Sequence, residues 1–78
     1  MNLITIELNG KKIAFSSETE FLVQVSRYKG AYKTRYRFKG NLVQAAMYYE
    51  GLNIGNGYNK RLYCPAMNKP VLLRQKST

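Results

Sequence analysis

Residues 3–15, LITIELNGKKIAF, alternate apolar and polar positions on either side of a central Asn9-Gly10. Asn-Gly is the strongest short hairpin turn, because both positions tolerate a positive φ. A turn centred there sets Ile6 against Ile13 and Ile4 against Phe15 on one face, with Glu7 against Lys12 on the other. Turn and pattern therefore specify one register. The polar run SSETE, residues 16–20, interrupts the alternation.

A second alternating stretch follows in FLVQVSRYKGAYKTRYRFKG, residues 21–40. A turn at Lys29-Gly30 pairs Phe21 with Phe38, Val23 with Tyr36, Val25 with Thr34 and Arg27 with Tyr32 on one face. The other face then pairs Leu22 with Arg37, Gln24 with Arg35 and Ser26 with Lys33. Slipping by a residue opposes Val23 to Arg37 and Arg27 to Lys33, which mixes faces and confronts like charges. The unslipped register predicts that the rings of YKTRYRF turn into the core with Phe21, Val23 and Val25. It also predicts that Lys33, Arg35, Arg37 and Lys39 project outward beside Gln24 and Ser26.

The period changes in GNLVQAAMYYEGLN, residues 40–53. Asn41 is a good N-cap, Gln44 stands where a capping box closes, and Gly51 is a natural C-terminal stop. Leu42, Ala45, Ala46 and Tyr49 follow the spacing of a single apolar stripe. A helix of about ten residues is marginal alone, so packing on the sheet must hold it. NIGNGYNK is turn-rich, RLYC is a short extended segment ended by Pro65, PVLLRQ is another, and QKST should fray. The expected fold is α+β: a small antiparallel sheet built from two hairpins, one short α-helix packed on one face, and one or two short strands after it.

Seventy-eight residues, 1–78, predict a single small basic domain with little apolar surface to bury. Thirteen Lys and Arg against four Asp and Glu give a formal charge of +9, spread from Lys11 to Lys76. That balance favours a polyanionic partner, such as nucleic acid, an acidic protein surface or an anionic membrane. No stretch approaches the ~20 apolar residues of a membrane span, and the first residues lack a signal-peptide pattern. The expectation is a protein of the cytoplasm with no membrane partner.

One cysteine, Cys64, and no histidine leave no zinc ligand set, no disulfide pair within the chain and no histidine-assisted nucleophile. Cys64, next to Pro65, reads as a packed small hydrophobe. Glu7 faces a lysine, Glu18 and Glu20 lie in the polar linker, and with Glu50 they assemble no paired-carboxylate site. A non-enzymatic protein without cofactor or metal is expected.

From Arg27 to Lys39 there are six positive residues and no acid. Alternate residues of a strand lie about 6.6 to 7 Å apart, close to the separation of successive phosphates along one nucleic-acid strand. Two-stranded ribbons also enter the major groove, where Arg reads guanine and Gln reads adenine. Arg35, Arg37 and Gln24 are the candidates for reading bases; Lys33, Lys39 and Arg27 are the candidates for holding phosphates, and Lys60 and Arg61 extend the cationic set. A solvated outer face is the bland alternative. Ordinary solubility asks for mixed signs, however, and this run carries one.

Seven tyrosines and three phenylalanines offer ring platforms of the kind that stack on unpaired bases. Phe15, Phe21, Tyr36, Phe38 and Tyr49 fall at positions expected to face inward. Tyr28, Tyr48, Tyr58 and Tyr63 are left over, and Tyr28 and Tyr58 are the candidates for stacking or protein contact. GLNIGNGYNKR lacks the phosphate-loop pattern GxxxxGK[ST] and reads as a turn. A helix-turn-helix across it would put two glycines inside the recognition helix, which disfavours it.

The order of antiparallel strands followed by a helix, over roughly residues 21–52, resembles the plan of integrase arm-binding domains and plant ethylene-response-type DNA-binding domains. In those a sheet face enters the major groove. The likeness is topological and carries no residue over. Two functions are expected in order: nucleic-acid binding by the cationic outer face of the second hairpin, or binding and inhibition of a host protein complex. The second would make it a small phage- or mobile-element accessory of the anti-CRISPR kind, and Tyr and Arg are favoured at such interfaces. A homodimer through exposed sheet edges is compatible with either.

Overall fold

A computed structural model describes residues 3–8, 10–27 and 30–73. The chain runs β1 (Ile4–Leu8), β2 (Lys11–Phe15), β3 (Glu20–Arg27), β4 (Lys33–Lys39), α1 (Leu42–Gly51), β5 (Tyr58–Cys64) and β6 (Lys69–Leu73), an α+β fold. The expected turn residues Asn9 and Lys29, the candidate Tyr28 and the QKST terminus lie outside the described residues.

The first hairpin has the expected register, with Ile4 opposite Phe15, Ile6 opposite Ile13 and Glu7 opposite Lys12. Gly10 takes a φ of 79°, as that turn requires. Yet β1 and β2 form a two-stranded sheet of their own, separate from the four-stranded sheet ordered β4-β3-β5-β6. Phe15 is the tie between them: it is buried, its ring edge-on to Phe21 with centroids 5.1 Å apart. Ile6, Leu8 and Ile13 pack partly buried against the same core.

The second hairpin of the main sheet is β5–β6. Its turn is closed by Met67 N–H to Cys64 O and Asn68 N–H to Pro65 O, both 3.1 Å, with Asn68 at a φ of 53°. Asparagine is one of the few residues that visit this left-handed region readily. Residues 58–64 pair with β3 from Leu22 opposite Tyr63 to Arg27 opposite Tyr58, so no second helix exists there. The strand that follows the helix thereby makes β3 an interior strand, buried on both faces.

Helix α1 lays the expected stripe of Leu42, Ala45, Ala46 and Tyr49 on Phe21, Val23, Leu62 and Cys64. Each large side chain removed from water here contributes roughly 1.5 to 3 kcal/mol. Asn41 caps the N-terminus, its Oδ1 accepting from Gln44 N–H at 3.0 Å while its Nδ2 donates to Gln44 Oε1 at 3.2 Å. Gly51 is not a left-handed stop: it is the last helical residue, and extended Leu52 ends the helix. Between β4 and α1, Gly40 has a φ of 66° and donates to Thr19 O at 2.7 Å. A Cβ there would collide with the Ser17 carbonyl oxygen, so only glycine fits.

The β3–β4 ladder departs from expectation at its middle. Phe21 faces Phe38, Leu22 faces Arg37 and Val23 faces Tyr36, but then Gln24 faces Thr34 and Val25 faces Lys33. Arg35 is the additional residue of a β-bulge. The cause is position: β4 is an edge strand with a neighbour on one side only, so an extra residue disrupts one ladder instead of two. Beyond the bulge the faces exchange. Lys33 joins Val25 on the helix side and Thr34 joins Gln24 on the outer side, which breaks the expected outward row of four cations. The rings are divided as well: Phe38 is half-buried, Tyr36 is 38% exposed and Tyr32 lies against Arg61. Among the described residues no helix is long and apolar enough to cross a membrane.

Candidate nucleic-acid interface

On the outer face of the sheet, pairing places Gln24 between Thr34 of β4 and Arg61 of β5. Gln24 is 8% exposed; its Nε2 donates to Thr34 Oγ1 at 3.2 Å and its Oε1 accepts from Arg61 Nε at 2.6 Å. Both ends of the amide are thus engaged within the sheet. The Arg61 guanidinium lies 4.0 Å from the Tyr32 ring centroid and 4.3 Å from that of Tyr63, between the two rings. A stacked planar cation of this kind contributes about 0.5 to 2 kcal/mol per ring. Tyr63 is fixed in turn by its hydroxyl, which donates to Asn68 Oδ1 at 3.0 Å. Arg61 accordingly acts first as a strut of the outer face.

Lys60 also turns away from the outer face. Strand alternation places it on the side of Leu62 and Cys64, under the end of α1, where it is only 5% exposed. Its Nζ donates to the carbonyls of Tyr49 at 2.6 Å, Leu52 at 3.0 Å and Glu50 at 3.4 Å, and stands 4.8 Å from the Tyr49 ring. The last carbonyls of a helix lack partners within it and carry its negative dipole end, so an ammonium group satisfies both needs.

Three of the candidate residues lie together. Arg27, Lys33 and Arg35 border an open concavity of about 370 Å3 with Val25, Ala31 and Tyr58, at the end of the sheet away from the first hairpin. Arg27 Nε donates to Tyr58 Oη at 3.3 Å, and this bond raises the guanidinium pKa above its ordinary value. Arg37 and Lys39 continue along β4, opposite Leu22 and Glu20. Lys39 is paired with Glu18 at 2.8 Å, and the carboxylate raises the pKa of its ammonium. That is the one ion pair among the described residues. The side chains of Lys33, Arg35 and Arg37 have no hydrogen-bond or ion-pair partner among them.

An apolar group lies next to this edge. Tyr48 of α1 packs its ring 5.2 Å from Tyr36 and 5.0 Å from Phe38, and Met47 beside it is 67% exposed. Cys64 is fully buried. The described residues contain no cluster of Cys, Asp or Glu able to hold a metal ion.

Of these features, the strut and the helix-closing lysine left no trace in sequence periodicity, since Gln24 and Arg61 are 37 residues apart. A faint signal existed for the concavity: Gly55 and Gly57 before Tyr58 announce the turn that places its ring. No protein-family model matches this chain, and no curated protein or solved structure matches it.

Proposed function

We propose that this chain is a non-enzymatic nucleic-acid-binding module, whose contact surface is the Arg27, Lys33, Arg35 and Tyr58 concavity continued along the β4 edge by Arg37. The observation that carries the reading is that Lys33, Arg35 and Arg37 are exposed, at alternate positions of one edge strand and without acidic partners, in a chain of net charge +9. Unneutralised cations along one edge strand attract a polyanion and release its counterions on binding. Gln24, Lys60 and Arg61 serve the fold, and Lys39 is shared with Glu18.

The test is a titration of a labelled oligonucleotide across about 50 to 200 mM salt, where each phosphate neutralised contributes a slope near −0.7 to −0.9. Affinity should fall steeply with salt in the native protein and be lost in Arg35→Ala plus Arg37→Ala with the circular dichroism unchanged. A flat salt response, or full affinity in the double variant, would end this reading.

A second reading is favoured by the exposed Tyr36, Met47 and Tyr48: a small accessory protein that docks on and inhibits a host protein complex. It predicts capture from cell extract of a protein partner that survives nuclease treatment. Loss of the partner on nuclease treatment would return the protein to the first reading.

A further inference from the structure

We infer that the concavity at the end of β3 and β4 takes one unpaired nucleotide, its base against Tyr58 and its phosphates on the cationic rim; this rests on the nucleic-acid reading above and narrows it to single strands. The lining divides by chemistry. Val25, Ala31 and Tyr58 supply apolar surface, while Arg27, Lys33 and Arg35 supply charge. The bulge builds this grouping, because only with Arg35 as an additional residue does Lys33 fall opposite Val25 and on the side of Arg27 and Tyr58. Bulges beside sites characteristically re-aim side chains in this way.

A duplex presents phosphates outward and keeps the flat faces of its bases stacked inside, so it engages the rim and leaves the apolar lining unused. An unpaired base exposes a ring face, and stacking on an aromatic side chain tolerates any sequence because every base has one. Tyr58 suits that role. The residue is 41% exposed, its hydroxyl is anchored by Arg27 Nε at 3.3 Å, and the guanidinium stands 6.0 Å from the ring centroid. The turn that precedes it is closed by Tyr58 N–H donating to Gly55 O at 3.3 Å.

The experiment measures equilibrium binding of one sequence as single-stranded DNA, as single-stranded RNA and as duplex DNA, at one low salt concentration. The proteins are native, Tyr58→Phe and Tyr58→Leu, each checked for native circular dichroism. At least one single strand should bind about tenfold tighter than the duplex; Tyr58→Leu should remove about that factor from single strands and leave the duplex unchanged, while Tyr58→Phe stays within about threefold. The DNA and RNA arms identify which sugar the site accepts. Equal or tighter duplex binding, or a Tyr58→Leu loss common to all three ligands, overturns the inference while the broader reading stands. Binding to none of the three overturns both.

Discussion

The ammonium nitrogen of Lys60 lies 2.6 Å from the carbonyl oxygen of Tyr49, so a residue of β5 closes the helix that packs above it. Helix and sheet are therefore joined by a buried charge as well as by the apolar stripe. Lys60→Met keeps the length of the side chain and removes the donor, leaving the carbonyls of Tyr49, Glu50 and Leu52 without it. We expect a loss of about 2 to 4 kcal/mol. For a domain of this size that is a fall of roughly 10 to 25 °C in Tm. Thermal unfolding followed by circular dichroism measures it, and a shift of a degree or two would show that the ammonium does not close the helix. The salt slope of oligonucleotide binding, taken where the variant is folded, should be unaltered.

The Gln24–Arg61 pair should behave as a coupled unit. Gln24→Ala leaves the Arg61 Nε without its acceptor and should destabilise by about 1 to 3 kcal/mol. In a double-mutant cycle with Arg61→Ala in urea, a coupling of about 1 kcal/mol or more is expected for groups in direct contact. Additive losses would mean that the strut carries no energy.

Gly40→Ala tests the junction between β4 and α1. The left-handed backbone alone costs an alanine roughly 1 to 2 kcal/mol. Collision with the Ser17 carbonyl adds to this, because backbone must move to relieve it. Urea unfolding should show a larger loss than Gly51→Ala, where a Cβ meets nothing within 4 Å and alanine is the better helix former. Equal effects would contradict the packing described.

Single substitutions along β4 should separate free cations from shared ones. Arg35→Ala and Arg37→Ala should each lower the salt slope by about 0.7 to 0.9. Lys39→Ala should lower it less, because Glu18 already engages that ammonium. Glu18→Gln should then tighten binding by freeing Lys39, and weaker binding in this variant would contradict the assignment.

The Lys39 pair also sets a direction with pH. The folded pKa of Lys39 is raised, so its contribution is complete below the unfolded lysine pKa and is lost as the pH climbs through the folded one. Both side chains are exposed, so oligonucleotide affinity rather than unfolding is the sensitive readout. The gain from Glu18→Gln should vanish at alkaline pH, where Lys39 is neutral in both proteins.

What the chain determined by itself is what depends on near neighbours. Alternation and an Asn-Gly pair specified the β1–β2 register, the helical spacing specified which side chains of α1 are buried, and Asn41 with Gln44 specified where it starts. The ladder from Phe21–Phe38 to Val23–Tyr36 was legible for the same reason. The tertiary structure alone decided the bulge at Arg35, the inward turn of Lys60 and the Tyr32–Arg61–Tyr63 stack. The turn of Lys60 and the stack depend on β5 settling beside β3, and the bulge on β4 having a neighbour on one side only, rather than on residues adjacent in sequence. A local pattern assigns alternate faces to a strand, but which face meets a helix end or a neighbour's amide is fixed by partners that only the folded chain brings within hydrogen-bonding distance.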